Sequence, residues 1–161
     1  MRTRFLPRAA AALALAALLT GCTATVPEAT VRPPAGFVVP TELPNGRVEI
    51  TISPLYRIGT TISVPVAIVA TRGTITGPLS ARVLASGINE AGAPAEALVR
   101  DLVVTPITVS GGRRSVTLAW DTRDTKGLLV PADGYSLVLL LRVEDGGTAT
   151  ERTAAVTLEL R

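Results

Sequence analysis

Histidine is absent from the 161 residues, and cysteine occurs once, at Cys22. Losing histidine removes the commonest general base and the commonest zinc and copper ligand together. Ser-His-Asp and Cys-His arrangements are therefore impossible. A lone cysteine cannot close an intramolecular disulfide, so the fold must rest on packing alone. Lysine is nearly missing too. Serine–lysine catalysis would depend on Lys126, which lies between Thr125 and Gly127 in an expected loop. Aromatics make up 3% of the chain, and beyond Cys22 they are Phe37, Tyr56, Trp120 and Tyr135. Sugar sites need exposed aromatic platforms, so a glycosidase and a carbohydrate-binding module are both disfavoured, although acidic residues are numerous enough for a catalytic pair. The glycines are spaced as turns and form no phosphate-cradling loop. An enzyme is not expected, and neither a cofactor nor a small-molecule substrate is evident.

What the chain does have begins at its N-terminus. Arg2, Arg4 and Arg8 make a positive start without an acidic residue, and Ala9 to Leu19 form an unbroken run of Ala and Leu. The run is too short for a permanent transmembrane helix and ends in small residues, which describes a secretory signal peptide. Leu19-Thr20-Gly21-Cys22 then resembles the lipobox of bacterial lipoproteins. That resemblance implies cleavage between Gly21 and Cys22 and a diacylglyceryl and acyl (palmitate-type) modification of Cys22. Two or more chains meet the requirement for stable anchoring without a membrane span. Thr23 stands where an Asp would retain such a lipoprotein at the inner membrane of enteric-type diderms, which points to the outer membrane where the source has one. The expected location is extracytoplasmic, anchored to a bacterial cell membrane or outer membrane.

Charge must be read after that cleavage. The 16 Lys and Arg exceed the 13 Asp and Glu, but Arg2, Arg4 and Arg8 leave with the signal peptide and the mature chain is formally neutral. The basic sequence pI therefore carries no sign of nucleic acid as a partner.

Three segments follow: a signal peptide over 1–21, lipidated Cys22 with a Pro- and Thr-rich linker over 22–45, and one folded domain over 46–161. The linker carries Pro27, Pro33, Pro34, Pro40 and Pro44 and reads as a semi-rigid tether. Its one apolar knot, Phe37-Val38-Val39, is a candidate edge strand. Asn45-Gly46 signals a turn, and Arg47 to Ile52 alternates strictly, as a strand with one buried face does. Ile62, Val64, Val66 and Ile68 share a face, with Pro65 opposite and suggesting an edge or a bulge. A weaker strand is expected over Leu79 to Ala85, a long loop over Ser86 to Pro94, and at most one helical turn over Ala95 to Leu98. Short strands are expected at Leu102 to Val104 and Ile107 to Val109. Gly111-Gly112 turns into Ser115 to Trp120, and Arg113-Arg114 reads as a solvated pair at the hairpin tip. Tyr135 to Val143 is apolar on both faces and is expected centrally, with cover on each side. The final strand directs Ala154, Val156, Leu158 and Leu160 inward. About seven strands and no convincing helix predict an all-β fold, a single Ig-like antiparallel β-sandwich.

One stretch is distinctive: Trp120-Asp121-Thr122-Arg123-Asp124, then Gly127, Val130-Pro131 and Gly134-Tyr135. It resembles the W-D-G-x-D-x-x-G-x-x-V-P-x-G-x-Y pattern of Ig-like domains of the bacterial flagellar hook-cap type, and a pattern ending domains of the intracellular-proteinase-inhibitor type. Thr122 stands where the pattern carries glycine. Structural roles account for each residue: a buried Trp120, Asp121 and Asp124 accepting turn N–H groups, Gly127 at positive φ, Pro131 stiffening the return and Tyr135 bonding the backbone as a tyrosine corner does. The competing reading lets Asp121, Asp124 and Asp133 converge on Ca²⁺, although no glutamate takes a bidentate position.

The functional expectation is a non-catalytic, membrane-anchored envelope lipoprotein that serves as a protein-binding or structural module. The alternatives are a protease inhibitor acting through an exposed loop such as Ser86 to Pro94, and a ligand-binding or adhesion module.

Overall fold

A computed structural model describes residues 36–88 and 90–161. The expected signal peptide, the expected lipidation site at Cys22 and most of the expected linker lie outside the described residues, as does Asn89. Nine strands occur in chain order: β1 (Phe37–Leu43), β2 (Gly46–Ile52), β3 (Ile62–Ala70), β4 (Thr74–Ile88), β5 (Pro94–Leu102), β6 (Ile107–Val109), β7 (Gly112–Trp120), β8 (Gly134–Asp145) and β9 (Thr148–Glu159). No described residue is helical. The strands form two antiparallel sheets, one ordered β1-β2-β3-β7 and the other β5-β4-β8-β9 with β6 also on β4. The protein is an all-β sandwich.

The core follows from alternation. Val48 and Ile50 of β2, Ile62, Val64, Val66 and Ile68 of β3, and Leu118 and Trp120 of β7 all turn inward and are buried. They meet Leu137, Leu139 and Leu141 of β8 and Ala154, Val156 and Leu158 of β9 from the other sheet. Each buried Val, Leu or Ile among them contributes about 1.5–3 kcal/mol on leaving water. With no disulfide possible, this interdigitated layer and the ladders hold the domain.

Two details of register explain local sequence choices. β2 pairs with β3 only as far as Ile50↔Val66. Pro65, which has no N–H to give, is the next residue of β3, so the ladder stops where its donor would be needed. At the start of β2 a Cβ on Gly46 would fall 1.9 Å from the Val69 carbonyl oxygen, so only glycine lets the chains approach.

Several expectations are corrected. The candidate edge strand at Phe37-Val38-Val39 is present and longer than those three residues, since β1 at the sheet edge pairs with β2 from Phe37↔Ile52 to Leu43↔Gly46. β4 runs through Ile88 rather than stopping at Ala85, and Ala95–Leu98 is extended within β5 instead of helical. The ladder from Ser86↔Glu96 to Ile88↔Pro94 fixes both segments, so tertiary pairing overrides the alanine-rich composition. The loop expected over Ser86 to Pro94 shrinks to the residues between those strands. Val103 and Val104 fall outside any strand. β8 is interior, between β4 and β9, but the cover expected on each side is present on one. Val138 and Leu140 sit on its outer face, where they are half-buried among the flanking side chains of β4 and β9.

Candidate functional site

The connection from β7 to β8 builds one end of the sandwich. Trp120 closes β7, pairing with Ile62. Its indole is buried, donates Nε1–H to the Arg123 carbonyl at 2.9 Å, and meets Tyr135 edge-on with centroids 5.5 Å apart. Tyr135 opens β8 and donates its hydroxyl to the Pro131 carbonyl at 2.9 Å. One aromatic ends the outgoing strand and the other begins the returning one, so the loop is pinned at both ends.

Between them the chain forms a miniature hairpin. Arg123 bridges Leu129, Val130 N–H donates to the Thr122 carbonyl, and Asp124 N–H donates to the Leu128 carbonyl. Asp124 Oδ1 accepts from Lys126 N–H at 2.8 Å and Leu128 N–H at 2.9 Å. Gly127 turns at φ 80° and its carbonyl takes a hydrogen bond from Arg123. Asp121 Oδ1 accepts from Arg123 N–H, and Asp133 Oδ1 from Gly134 N–H. The three aspartates thus each turn onto the backbone beside them. Among the described residues no group of three or more His, Cys, Asp or Glu could hold a metal ion.

Thr122 is fully buried at φ 57°, a left-handed conformation that β-branched residues rarely adopt. Its hydroxyl donates to the Asp121 carbonyl at 2.7 Å and accepts from Gly59 N–H at 2.9 Å. The β2–β3 loop is thereby tied to the β7–β8 connection. A third segment joins them: Tyr56 N–H donates to the Glu159 carbonyl, Arg161 N–H to the Tyr56 carbonyl, and Leu160 N–H to the Asp133 carbonyl.

Beside this end lies a groove of about 290 Å³ between β7 and the segment Arg100–Val103. Thr117 and Ala119 of β7 form one wall, Leu102 and Val103 the other. Arg100 lines the groove and donates Nη1–H to the Asp124 carbonyl at 2.7 Å, coupling its shape to the motif loop. Arg100 reaches this position because a bulge at Val83/Leu84 leaves Val99 as an extra residue on β5 and changes the register there. Both β7 and β5 are edge strands of their sheets.

Sequence reasoning missed Arg100, and it also missed a charged cluster on the outer face of the first sheet. Arg113, read as solvated, reaches across β3 to Glu49, which Arg47 also holds at 2.6 Å. The small residue opposite Glu49 on β3, Ala67, leaves the space for that reach. The Arg47 hydrogen bond is the largest cause holding the Glu49 carboxyl below its ordinary range, with Arg113 adding to it against the effect of burial. The register that brings the two strands together spans 64 residues of sequence, and no local pattern carries it.

No protein-family model and no curated protein matches this chain. Among solved structures, the chain is similar to Spo0M, a sporulation control protein from Bacillus subtilis, at TM-score 0.43 and 10% identity, over 78% of this chain and 49% of that one. It is also similar to the CooA pilin subunit from enterotoxigenic Escherichia coli, at TM-score 0.35 and 15% identity, over 80% of this chain and 99% of the other. Both are β-rich bacterial proteins. The chain spans about half the length of the Spo0M chain.

Proposed function

We propose that this protein is a non-catalytic lipoprotein of the bacterial envelope, anchored through Cys22, whose sandwich binds or scaffolds another envelope protein. The observation that carries the reading is the way the one elaborate motif is used. Trp120, Asp121, Asp124 and Tyr135 spend their polar groups on the loop's own backbone. They build shape, and that shape borders a groove along β7, an edge strand. An extended segment of a partner is the natural occupant of a sheet edge, because main-chain hydrogen bonds supply affinity and alternate side chains supply selectivity. Anchoring is supported by the charged start, the short apolar run and Leu19-Thr20-Gly21-Cys22.

The test is crosslinking of the tagged lipoprotein in cells, with mass spectrometry of what is captured after membrane solubilisation. A recurrent stoichiometric partner is expected, and it should be lost when Thr117 and Ala119 are replaced by proline to blunt the β7 edge in a chain that still folds. Recovery of the protein alone, lipidated at Cys22, would overturn the partner-binding reading.

A further inference from the structure

The two ends of the sandwich differ in kind. Register places Phe37, Ile52, Ile62 and Trp120 at one end of the first sheet. The same end of the second sheet holds Ala85, Tyr135 and Leu158, and the β4–β5 hairpin continues beyond them. The Thr122–Gly59 and Tyr56–Glu159 hydrogen bonds join the connections of this end. The other end consists of short turns at Asn45, Arg72-Gly73, Gly111 and Gly146-Gly147.

Exposed large hydrophobic residues follow this division. Phe37, Val38, Leu55, Ile88, Leu128 and Leu129 all belong to the first end, with Ile88 77% and Leu128 63% exposed. Of the two others, Leu98 lies on β5 near that end and Val103 midway along the side, and none lies in the turns opposite. Apolar residues gathered on separate loops at one pole mark an interaction surface. The chain also enters the fold at this pole, since Phe37 begins β1 there. The roughly 14 residues from Cys22 to Gly36 span at most about 50 Å even when fully extended. An anchor at Cys22 therefore joins the bilayer to the fold at this pole, within a reach that lets the pole touch it.

We infer that this pole docks on the lipid bilayer itself, seating its apolar loop residues at the boundary of headgroups and acyl chains. The inference rests on anchoring through Cys22. Charges at the pole are of both signs, Arg57, Lys126 and Arg161 beside Glu90, Asp121 and Asp133, so contact is apolar rather than electrostatic and needs no anionic lipid. With this pole on the membrane, the β7 groove lies along the side and the polar turns face outward, leaving both free for a protein partner.

The experiment uses the full lipidated chain in vesicles of zwitterionic lipid, with a nitroxide placed by L128C or by T148C near the opposite turns. Acylated Cys22 does not react with the label. Collision rates with oxygen relative to a water-soluble nickel complex should be roughly tenfold higher at position 128 than at 148, as for a label seated about 5–10 Å into the interface. The ratio at 128 should be unchanged by anionic lipid or salt and fall to the value at 148 when L129D is added. Equal aqueous ratios at both positions, with the Cys22 acyl mass intact, would overturn the docking while leaving the anchor standing. An immobilised label at 128 that neither oxygen nor nickel reaches would show a protein contact there, a second copy or a partner, and would also overturn it. Absence of the acyl mass would overturn the anchored reading and this inference together.

Discussion

The Thr122 hydroxyl lies 2.9 Å from Gly59 N–H and 2.7 Å from the Asp121 carbonyl, although Thr122 itself sits at φ 57°. A strained backbone position is held because the side chain links two connections that nothing in sequence joins. Strain of this kind costs about 1–3 kcal/mol, and the resembling motif avoids it with glycine. The two substitutions should therefore rank. T122A keeps the strain and loses both hydrogen bonds, whereas T122G loses the bonds but relieves the strain. T122G should be more stable than T122A by about 1 kcal/mol in denaturant unfolding. Equal stabilities would show that the left-handed conformation is not the source of cost.

Asn45 governs the opposite end. Its fully buried amide donates to the Thr74 and Glu144 carbonyls, and its own backbone carbonyl accepts from Thr71 and Arg72. N45A should lose about 2–4 kcal/mol, because it removes both of these hydrogen bonds and the side-chain packing from a fully buried site. N45D should lose more at neutral pH, since a buried carboxylate then faces those carbonyls. The gap between the two variants should narrow on acidification, when the introduced carboxyl is protonated and can donate again. A gap independent of pH would contradict the geometry.

Glu49 predicts an acid limb. Its carboxyl is held below the ordinary range first by the Arg47 hydrogen bond and then by Arg113. A depressed folded-state value stabilises the fold above the unfolded carboxylate value of about 4.3, and that stability disappears as pH falls through the folded value. E49Q cannot titrate. The stability difference between wild type and E49Q should therefore shrink steadily below about pH 4. A constant difference across that range would remove Glu49 as the cause.

The tyrosines predict an alkaline limb. Burial raises Tyr56 and Tyr135, the negative charge of Asp133 adds to the effect at Tyr135, and the Ser53 N–H bond opposes it at Tyr56. A raised folded-state value means stability that is complete below the unfolded value of about 10 and is lost as pH rises through the folded one. Y135F should cost about 1 kcal/mol at neutral pH for the lost bond to the Pro131 carbonyl. It should also flatten the alkaline decline in Tm. An unchanged alkaline profile would assign that limb elsewhere.

Strands with one buried face were legible. The residue types of β2, the first half of β3 and the inner half of β9 alternate because the core selects every second residue. β4 and β5 were hard to read for a physical reason. Gly77, Pro78 and Gly87 interrupt the pattern of β4, and β5 is an alanine-rich edge strand whose conformation comes from its partner. The Trp120–Tyr135 connection could be located from composition, since two aromatics, two aspartates and a glycine at fixed offsets describe a pinned turn. Its neighbours could not. Arg100 reaches Asp124 through a bulge, and Arg113 reaches Glu49 through the register of three strands. Such juxtapositions are made by long-range pairing, which leaves no local trace.

The lipid on Cys22 is the claim on which the rest of the function depends. Intact mass of the membrane-extracted protein, with fragmentation of its N-terminal peptide, tests it directly. A mature chain that begins at Cys22 and carries a diacylglyceryl thioether is expected, with a C22A variant that leaves the membrane fraction. A mature chain that begins elsewhere, or an unmodified Cys22 in a soluble protein, would contradict it.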